Sequence, residues 1–238
     1  MDLSDASFNG MDMKAKQAAY HDFEAQTYEG KFGIAYDQRC IDYAVERFRK
    51  VVEPELGPDP KVFGRILEVG AGTGFFSINL FLGGRIGGEI HATDISEGML
   101  TVCKGNGAEH GIEILTKQGD AEALPYDDNQ FDLVLGHAFI HHLPVPGLAI
   151  REMLRVLKPG GMLVIAGEPT LWGDRIAHVV KRSTWRTFRA VTSLPGLKSI
   201  RRASLEAEQD PQQAILAALE HEVDLHEFRP DEVAHMAQ

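Results

Sequence analysis

A glycine turn and a group of histidines are the residues of this sequence whose types and spacing could do chemistry. Gly70, Gly72 and Gly74 alternate directly after a short apolar run. Glycine lets the backbone turn tightly and lets a ligand come close to the backbone N–H groups. Asp94 follows Gly74 by 20 residues, where a carboxylate can accept both hydroxyls of a ribose. This spacing favours a nucleoside ligand, although the glycines alone would also suit a plain strand–helix turn.

Two residues separate this pattern from the one that binds dinucleotides. The dinucleotide pattern has a further glycine where this chain has Phe75. It also gives no reason for Glu68, an acid at the end of the first apolar run. A ligand with a positive group near the turn would explain that carboxylate. The sequence therefore favours a cationic nucleoside over a nicotinamide cofactor.

The histidines follow a later apolar run at residues 131–135 and are His137, His141 and His142. Loops at the carboxyl ends of parallel strands are where ligands bind in α/β proteins. Histidine can accept a proton near neutral pH. Each of the three is therefore a candidate for a general base that would take a proton from a substrate hydroxyl. Packing or capping of the loop is the alternative for the others.

The elements that must position these residues alternate between strands and helices. Short apolar runs, separated by helix-like segments, lie at residues 65–69, 89–93, 113–116, 131–135 and 162–166. Such alternation predicts a doubly wound α/β fold with a mostly parallel sheet covered on both faces. Residues 11–56 have a helical pattern, and the chain becomes helical again after about residue 168.

Four segments resemble, in order and spacing, the motifs of class I S-adenosylmethionine-dependent methyltransferases. The similar branch acts on small molecules and includes the ubiquinone/menaquinone-biosynthesis-type enzymes, with a methyltransferase type 11 domain. The segments are residues 68–74, 119–126, 129–143 and 152–161, within a resemblance that covers about residues 20–170. The resemblance implies a Rossmann-like sheet with strand order 3-2-1-4-5.

The resemblance also implies three parts of the chain. These are an N-terminal helical cap (1–56), a cofactor-binding core (61–170), and a helical lid with an acidic C-terminal segment (171–238). The family sheet usually has a sixth and a seventh strand, and we expect them to be absent from this chain. The fifth strand would then be a sheet edge. We expect either a truncated chain or cover from a partner or a second copy.

The implied cofactor is S-adenosylmethionine, with S-adenosylhomocysteine as its product. The residues that the resemblance places against it are Tyr28, Glu68, Gly70, Ala71, Gly72, Asp94, Ile95, Met99, Asp120, Ala121 and His137. Glu68, the N–H groups of residues 70–72 and the backbone of His137 would face the methionine part. Asp94 would take the ribose hydroxyls.

The remaining cofactor contacts concern the adenine. Ile95 and Met99 would flank it, and Asp120 with the Ala121 N–H would read its edge. Tyr28 would lie on an N-terminal helix that closes over the cofactor. Packing of an amphipathic helix on the core is the alternative reading of Tyr28.

The implied function is methyl transfer to a small-molecule or lipid-like acceptor by in-line displacement, in which orientation does most of the work. The leaving thioether is neutral, so no metal is expected. Oxygen is the expected acceptor atom, with carbon and nitrogen open. Two alternatives remain: a non-catalytic subunit that binds the cofactor to organise a partner, and a nicotinamide-dependent oxidoreductase, which Phe75 disfavours.

Composition argues against other classes of protein. The chain has 238 residues and a formal net charge of -11, which disfavours general nucleic-acid binding. No apolar run approaches the roughly 20 residues of a membrane span, and the acidic N-terminus is unlike a signal peptide. Two cysteines are too few for a disulfide framework. We expect a cytoplasmic protein without a transmembrane segment.

Charge is unevenly placed after the fifth apolar run. Residues 171–202 carry a net charge of +7, and residues 203–238 carry -8. A basic helix face at 171–202 could hold an anionic acceptor through arginine contacts. It could also rest peripherally on an anionic membrane that presents a lipid-like acceptor, or pair with the acidic segment of the same chain.

Overall fold

Three helices precede the sheet in the computed structural model, which describes residues 11–57 and 63–169. They are α1 (Met13–Glu24), α2 (Tyr28–Phe32) and α3 (Gln38–Leu56). Asp12 and Asp37 precede α1 and α3, and their carboxylates accept the N–H groups of Ala15 at 2.8 Å and Cys40 at 3.0 Å. These contacts satisfy donors that a helix start leaves unpaired.

Five parallel strands and three further helices make up the rest of the described fold. The strands are β1 (Arg65–Val69), β2 (Glu89–Asp94), β3 (Ile114–Gln118), β4 (Phe131–His137) and β5 (Leu157–Ala166). The helices are α4 (Phe75–Leu82), α5 (Glu97–Glu109) and α6 (Pro146–Val156), and a 3-10 turn covers Ile140–His142. The strand order is β3-β2-β1-β4-β5, so the predicted fold and strand order are confirmed.

The fifth strand begins earlier than its apolar run suggests. The apolar run of the fifth strand starts at residue 162, but Leu157 already pairs with Phe131 of β4. An irregularity in the register between Phe131 and Leu133 accommodates the two glycines before Met162. Backbone pairing with the start of β4 therefore extends the fifth strand beyond what side-chain hydrophobicity indicates.

The core consists of two apolar clusters, one on each face of the sheet. Alternate residues of a strand point to opposite faces, so Ile66 of β1 joins the cluster under α3, α4 and α5, and Leu67 joins the cluster under α6. Parallel pairing brings the carboxyl ends of all five strands to one edge. The chain passes from β1 to β2 on one side of β1, and later from β3 to β4 on the other side of β1. The point at which the strand order reverses, called the switch point, therefore lies at the carboxyl end of β1.

Several expectations concern residues outside the described ranges. The C-terminal lid, the basic face at 171–202 and the acidic segment at 203–238 all lie there. The division of the chain into three parts and the cover of the β5 edge stay predictions. Among the described residues, none of the helices is both long enough and apolar enough to cross a bilayer.

Neighbouring residues of α6 provide a test of the packing. Met153 is fully buried, whereas 37% of Leu154 is exposed. Met153→Ala should lower the free energy of unfolding by about 2–5 kcal/mol, because it removes buried atoms and leaves a cavity. Leu154→Ala should change it by about 0.5 kcal/mol or less. Urea denaturation of both variants measures this, and equal losses would contradict the described packing.

Candidate functional site

A cleft lies at the switch point, between the carboxyl edge of the sheet and the helices α1 and α2. Its walls come from α1, α2, the turn after β1, the end of β2, the loops after β3 and β4, and α5. Nine residues expected at a site from the sequence line this one cleft: Tyr28, Gly70, Gly72, Asp94, Ile95, Met99, Asp120, Ala121 and His142. Glu68, Ala71, His137 and His141 are not among its lining residues.

The glycine turn brings backbone to the floor of the cleft. Gly70, Gly72 and Gly74 have φ values of +63°, +51° and +84°, a left-handed region that suits glycine. A Cβ at Gly70 would lie 2.4 Å from the Phe139 ring, so no side chain fits there. A Cβ at Gly72, which also lines the cleft, would meet no atom within 4 Å.

Asp94 lies at the end of β2, facing this turn. Its Oδ2 accepts the Gly72 N–H at 2.8 Å, and its Oδ1 accepts the Ser96 N–H at 2.9 Å. Burial raises the pKa of Asp94, and these N–H donors oppose the rise. A carboxylate has about four acceptor positions. Asp94 therefore keeps acceptor capacity toward the cleft while it holds the turn against α5.

Glu68 is buried at the carboxyl end of β1, beneath the glycine turn. It is 1% exposed, and its Oε2 accepts the N–H of Ser77 in the first turn of α4 at 3.1 Å. Burial raises the pKa of Glu68 to about 7, against the effect of the N–H donors. The carboxyl group therefore joins β1 to α4 beneath the turn. Its predicted contact with the methionine part of a cofactor stays a prediction.

The N–H groups of the turn are also used within the protein. The Ala71 N–H donates to the Thr93 carbonyl at 3.1 Å, and the Gly72 N–H donates to Asp94. These bonds join the turn after β1 to the end of β2. The predicted contacts of residues 70–72 with a cofactor would have to be made in addition to them.

Apolar and acidic side chains line the far end of the cleft. Ile95 and Met99 contribute apolar surface, opposite Asp120 and Ala121. The Lys14 ammonium of α1 lies 2.5 Å from Asp120 Oδ2 and 2.7 Å from a carboxylate oxygen of Glu122. Burial alone would lower the pKa of Lys14, but the two carboxylates outweigh it and the pKa is raised. This end can hold a flat apolar ring with a polar edge.

Helix α1 is attached across the cleft by polar contacts that sequence reasoning missed. Gln17 donates through Nε2 to the His142 carbonyl. Asp22 Oδ1 accepts the Ser96 hydroxyl at 2.5 Å and the Gly98 N–H at 2.9 Å. Lys14, Gln17 and His21 of α1 all line the cleft, and their spacing of three and four residues places them on one helix face. That spacing of polar residues was the available signal.

The three expected histidines have different surroundings, although all lie in or next to the histidine loop, residues 138–142. His142 lines the cleft, and its ring centroid lies 3.9 Å from that of His141 and 5.7 Å from that of His21. The ring of His141 lies behind His142, with Nδ1 at 2.8 Å from Glu168 Oε2. The structure thus places one of these three rings on the cleft wall.

His137 lies on the other face of the sheet. Its ring is within 5.8 Å, centroid to centroid, of the rings of Tyr43, Phe75 and Phe76. Burial lowers the pKa of His137 to about 4, so the ring is neutral at neutral pH. Its side chain does not line the cleft.

Glu168 is a residue of this edge that sequence reasoning missed. It comes two residues after the end of β5, and its side chain is 9% exposed. Its carboxylate accepts the N–H groups of Phe139 and Ile140 at 2.9 and 3.1 Å. An acid two residues after an apolar run was the available signal, since the carboxyl end of that run meets the other strand ends.

Comparison with known proteins gives one family and several relatives. Residues 67–165 match the family described as a methyltransferase domain. A ubiquinone/menaquinone biosynthesis C-methyltransferase of Nitrosospira multiformis is 36% identical over 111 residues, which is 45% of this chain and 44% of that protein. A demethylmenaquinone methyltransferase of Staphylococcus saprophyticus is 34% identical over 159 residues, which is 64% of each.

A third relative is named for transfer to oxygen. A malonyl-[acyl-carrier protein] O-methyltransferase of Methylococcus capsulatus is 37% identical over 157 residues, which is 64% of this chain and 51% of that protein. The chain therefore spans between 44% and 64% of the length of these curated relatives.

The buried state of His137 predicts a pH dependence of stability. Its pKa falls from 6.5 to about 4 on folding, so the unfolded chain binds the proton more tightly. Stability contributed by the neutral ring is present above pH 6.5 and is lost as the pH falls toward 4, by up to about 3 kcal/mol. His137→Phe keeps a ring in the aromatic surroundings and removes this loss.

Urea denaturation of both proteins between pH 7 and pH 4 measures the effect. The variant should gain stability relative to the natural sequence as the pH falls. A stability difference that stays constant over this range would contradict the buried, neutral state of His137.

Proposed function

We propose that this chain is an S-adenosylmethionine-dependent methyltransferase that methylates a small molecule with a hydroxyl group, and the match of residues 67–165 to a methyltransferase domain supports this. The observation that carries the proposal is the cleft at the end of β1. It brings Gly72, Asp94, Ile95, Met99 and His142 to the lining of one cleft. S-adenosylmethionine would donate the methyl group, and S-adenosylhomocysteine would remain after the transfer.

The residues of the cleft fit the proposed cofactor. Gly72 leaves open space where any other residue would place a Cβ. Asp94 has acceptor capacity for the ribose hydroxyls, and Ile95 with Met99 offers an apolar surface to the adenine. Asp120 and Ala121 would contact the adenine edge, and Tyr28 would close the cleft from α2. When bound, S-adenosylmethionine supplies a methyl group on a sulfonium whose leaving thioether is neutral.

The protein has two tasks in such a reaction. The first is orientation of the two ligands, which can supply up to about 7–11 kcal/mol in model reactions. The attachment of α1 by Lys14, Gln17 and Asp22 supports this task, because it holds one wall of the cleft in place. A closed cleft also keeps water away from the reacting groups.

The second task is removal of the acceptor proton, which we assign to His142. His142 is the member of the predicted trio that lines the cleft, and a general base must come within hydrogen-bond reach of the proton it takes. The His141 ring packs against the His142 ring and is not among the residues that line the cleft. His137 is a weaker base because its pKa is lowered to about 4, and it lies across the sheet.

Oxygen is the acceptor atom that we propose, with ring carbon as the second candidate. The name of the Methylococcus capsulatus relative supports oxygen, and the names of the quinone-biosynthesis relatives support carbon. Loss of a phenolic proton raises electron density on the oxygen and on the adjacent ring carbons, so one base serves both outcomes. The non-catalytic and nicotinamide-dependent alternatives are not favoured by the family match.

Asp94 provides the test of cofactor binding. Asp94→Ala should raise the dissociation constant of S-adenosylhomocysteine at least about 10-fold, because hydrogen bonds to a charged group contribute about 1.5–3 kcal/mol. Isothermal titration calorimetry measures it. Asp128→Ala is the matched control, since Asp128 pairs with Arg155 outside the cleft and its loss should leave affinity unchanged. Binding of NAD with no binding of S-adenosylhomocysteine would contradict the proposal.

His142 provides the test of proton removal. His142→Ala should lower kcat about 100-fold or more, the scale of general-base catalysis, and should leave affinity for S-adenosylhomocysteine nearly intact. Gln17 contacts the backbone of His142, and that contact remains in the variant. His110→Ala, at the end of α5, is the control.

Catechol and 1,4-dihydroxynaphthalene are suitable probe acceptors for this assay. With a ¹³C-methyl donor, the carbon shift of the product separates an O-methyl from a C-methyl group. Turnover by His142→Ala equal to that of the natural sequence would refute the assignment of the base.

A further inference from the structure

One carboxylate holds most of the histidine loop. Glu168 Oε1 accepts the N–H groups of Phe139 and Ile140 at 2.9 and 3.1 Å. Its Oε2 accepts the N–H of His141 at 3.2 Å and lies 2.8 Å from Nδ1 of the same residue. Four contacts on two oxygens use the full acceptor capacity of the group. Glu168 lies beyond residues 67–165, which the family match covers.

The surroundings keep this carboxylate charged. Burial by itself raises the pKa of Glu168, but the hydrogen bond and charge of His141 and the backbone N–H donors outweigh it, and the pKa lies below its ordinary value. An ionised carboxylate can accept hydrogen bonds but cannot donate one. The proton of a neutral His141 ring must therefore sit on Nδ1.

Two features of the backbone allow Glu168 to contact the histidine loop. Ala138 has a φ of +50°, which turns the chain sharply after β4, and its N–H still pairs with the Ala166 carbonyl at 2.9 Å. A Cβ at Gly167 would lie 2.5 Å from the His137 ring, so a glycine there lets the chain after β5 come close. Non-glycine residues with positive φ carry strain that the surrounding contacts must offset.

We propose that Glu168 is the positioning residue of the histidine loop, and this inference rests on the proposed function. Glu168 fixes the loop backbone and the orientation and tautomer of the His141 ring. The His141 ring packs at 3.9 Å against the ring of His142, which lines the cleft. Glu168 thereby holds the proton-accepting side chain in place without contact with the acceptor.

The ring tautomer gives a readout that a purely structural role would not change. In protein labelled with ¹⁵N-histidine and bound to S-adenosylhomocysteine, the nitrogen shifts of neutral His141 should show the proton on Nδ1. Glu168→Gln should lose this preference, because the amide presents one oxygen and an NH₂ group to four donors. Glu168→Asp, which keeps the charge, should restore it at least in part.

The chain contains a matched control. Glu89 Oε1 lies 2.6 Å from His91 Nε2, so this pair is another glutamate–histidine contact, on β2 and away from the cleft. Glu89→Gln should alter the signals of His91 and leave those of His141 unchanged. With 1,4-dihydroxynaphthalene as acceptor, Glu168→Gln should lower kcat about 100-fold, the scale of a small misplacement, with little change in KM.

The outcomes separate the two proposals. A proton on Nε2 of neutral His141 in the natural sequence would overturn the positioning role even if Glu168→Gln did not fold. An unchanged tautomer in Glu168→Gln would also overturn it. Failure of the natural sequence to bind S-adenosylhomocysteine would instead overturn the proposed function, since the tautomer can be measured without the ligand.

Discussion

The site depends on one steric constraint, the close approach of three strand ends around Gly70, a position with no room for a side chain. Gly70 lies against the Phe139 ring of the histidine loop, and the neighbouring N–H groups bond to Thr93 and Asp94 of β2. Any Cβ at Gly70 would push the loop after β4 away from β1. The turn therefore sets the distance between the wall that carries Asp94 and the wall that carries His142.

Polar groups beneath and above this turn hold it in place. Glu68 accepts the Ser77 N–H and so fixes the start of α4 from below the turn. Burial raises the pKa of this carboxyl group to about 7. From above, α1 is attached at both of its ends, through Lys14 to Asp120 and through Asp22 to the start of α5. Most of these contacts join segments that are far apart in sequence, so the cleft forms when the helical cap packs on the sheet.

The parts of this arrangement that follow local rules were predictable from the sequence. Strand order follows from the family resemblance and from the right-handed crossovers of alternating strands and helices. The sequence placed Gly72 and Asp94 at one edge of the sheet because their predicted roles need a particular residue type at a fixed spacing, and both line the cleft. The sheet face on which His137 lies was also predictable. His137 is an even number of residues from Leu133 and Leu135, which pack under α3 to α5.

Contacts between distant segments could not be located from the sequence, although the types and spacing of some of these residues gave a partial signal. Lys14 and Gln17 reach the cleft because α1 docks across the sheet edge, and nothing in their local sequence fixes that docking. Glu168 meets the histidine loop because β5 lies beside β4 and Gly167 allows a close approach. These positions depend on tertiary packing, whereas the pattern and spacing of residues in a sequence indicate only the helices and strands.

The central claim is that the cleft at the end of β1 holds the nucleoside part of the cofactor. A crystal structure of the chain with S-adenosylhomocysteine tests it most directly. We expect the ribose hydroxyls to lie within hydrogen-bond distance of the Asp94 carboxylate and the adenine to lie between Met99 and Ala121. A ligand bound elsewhere, or bound in the cleft with no contact to Asp94, would contradict it.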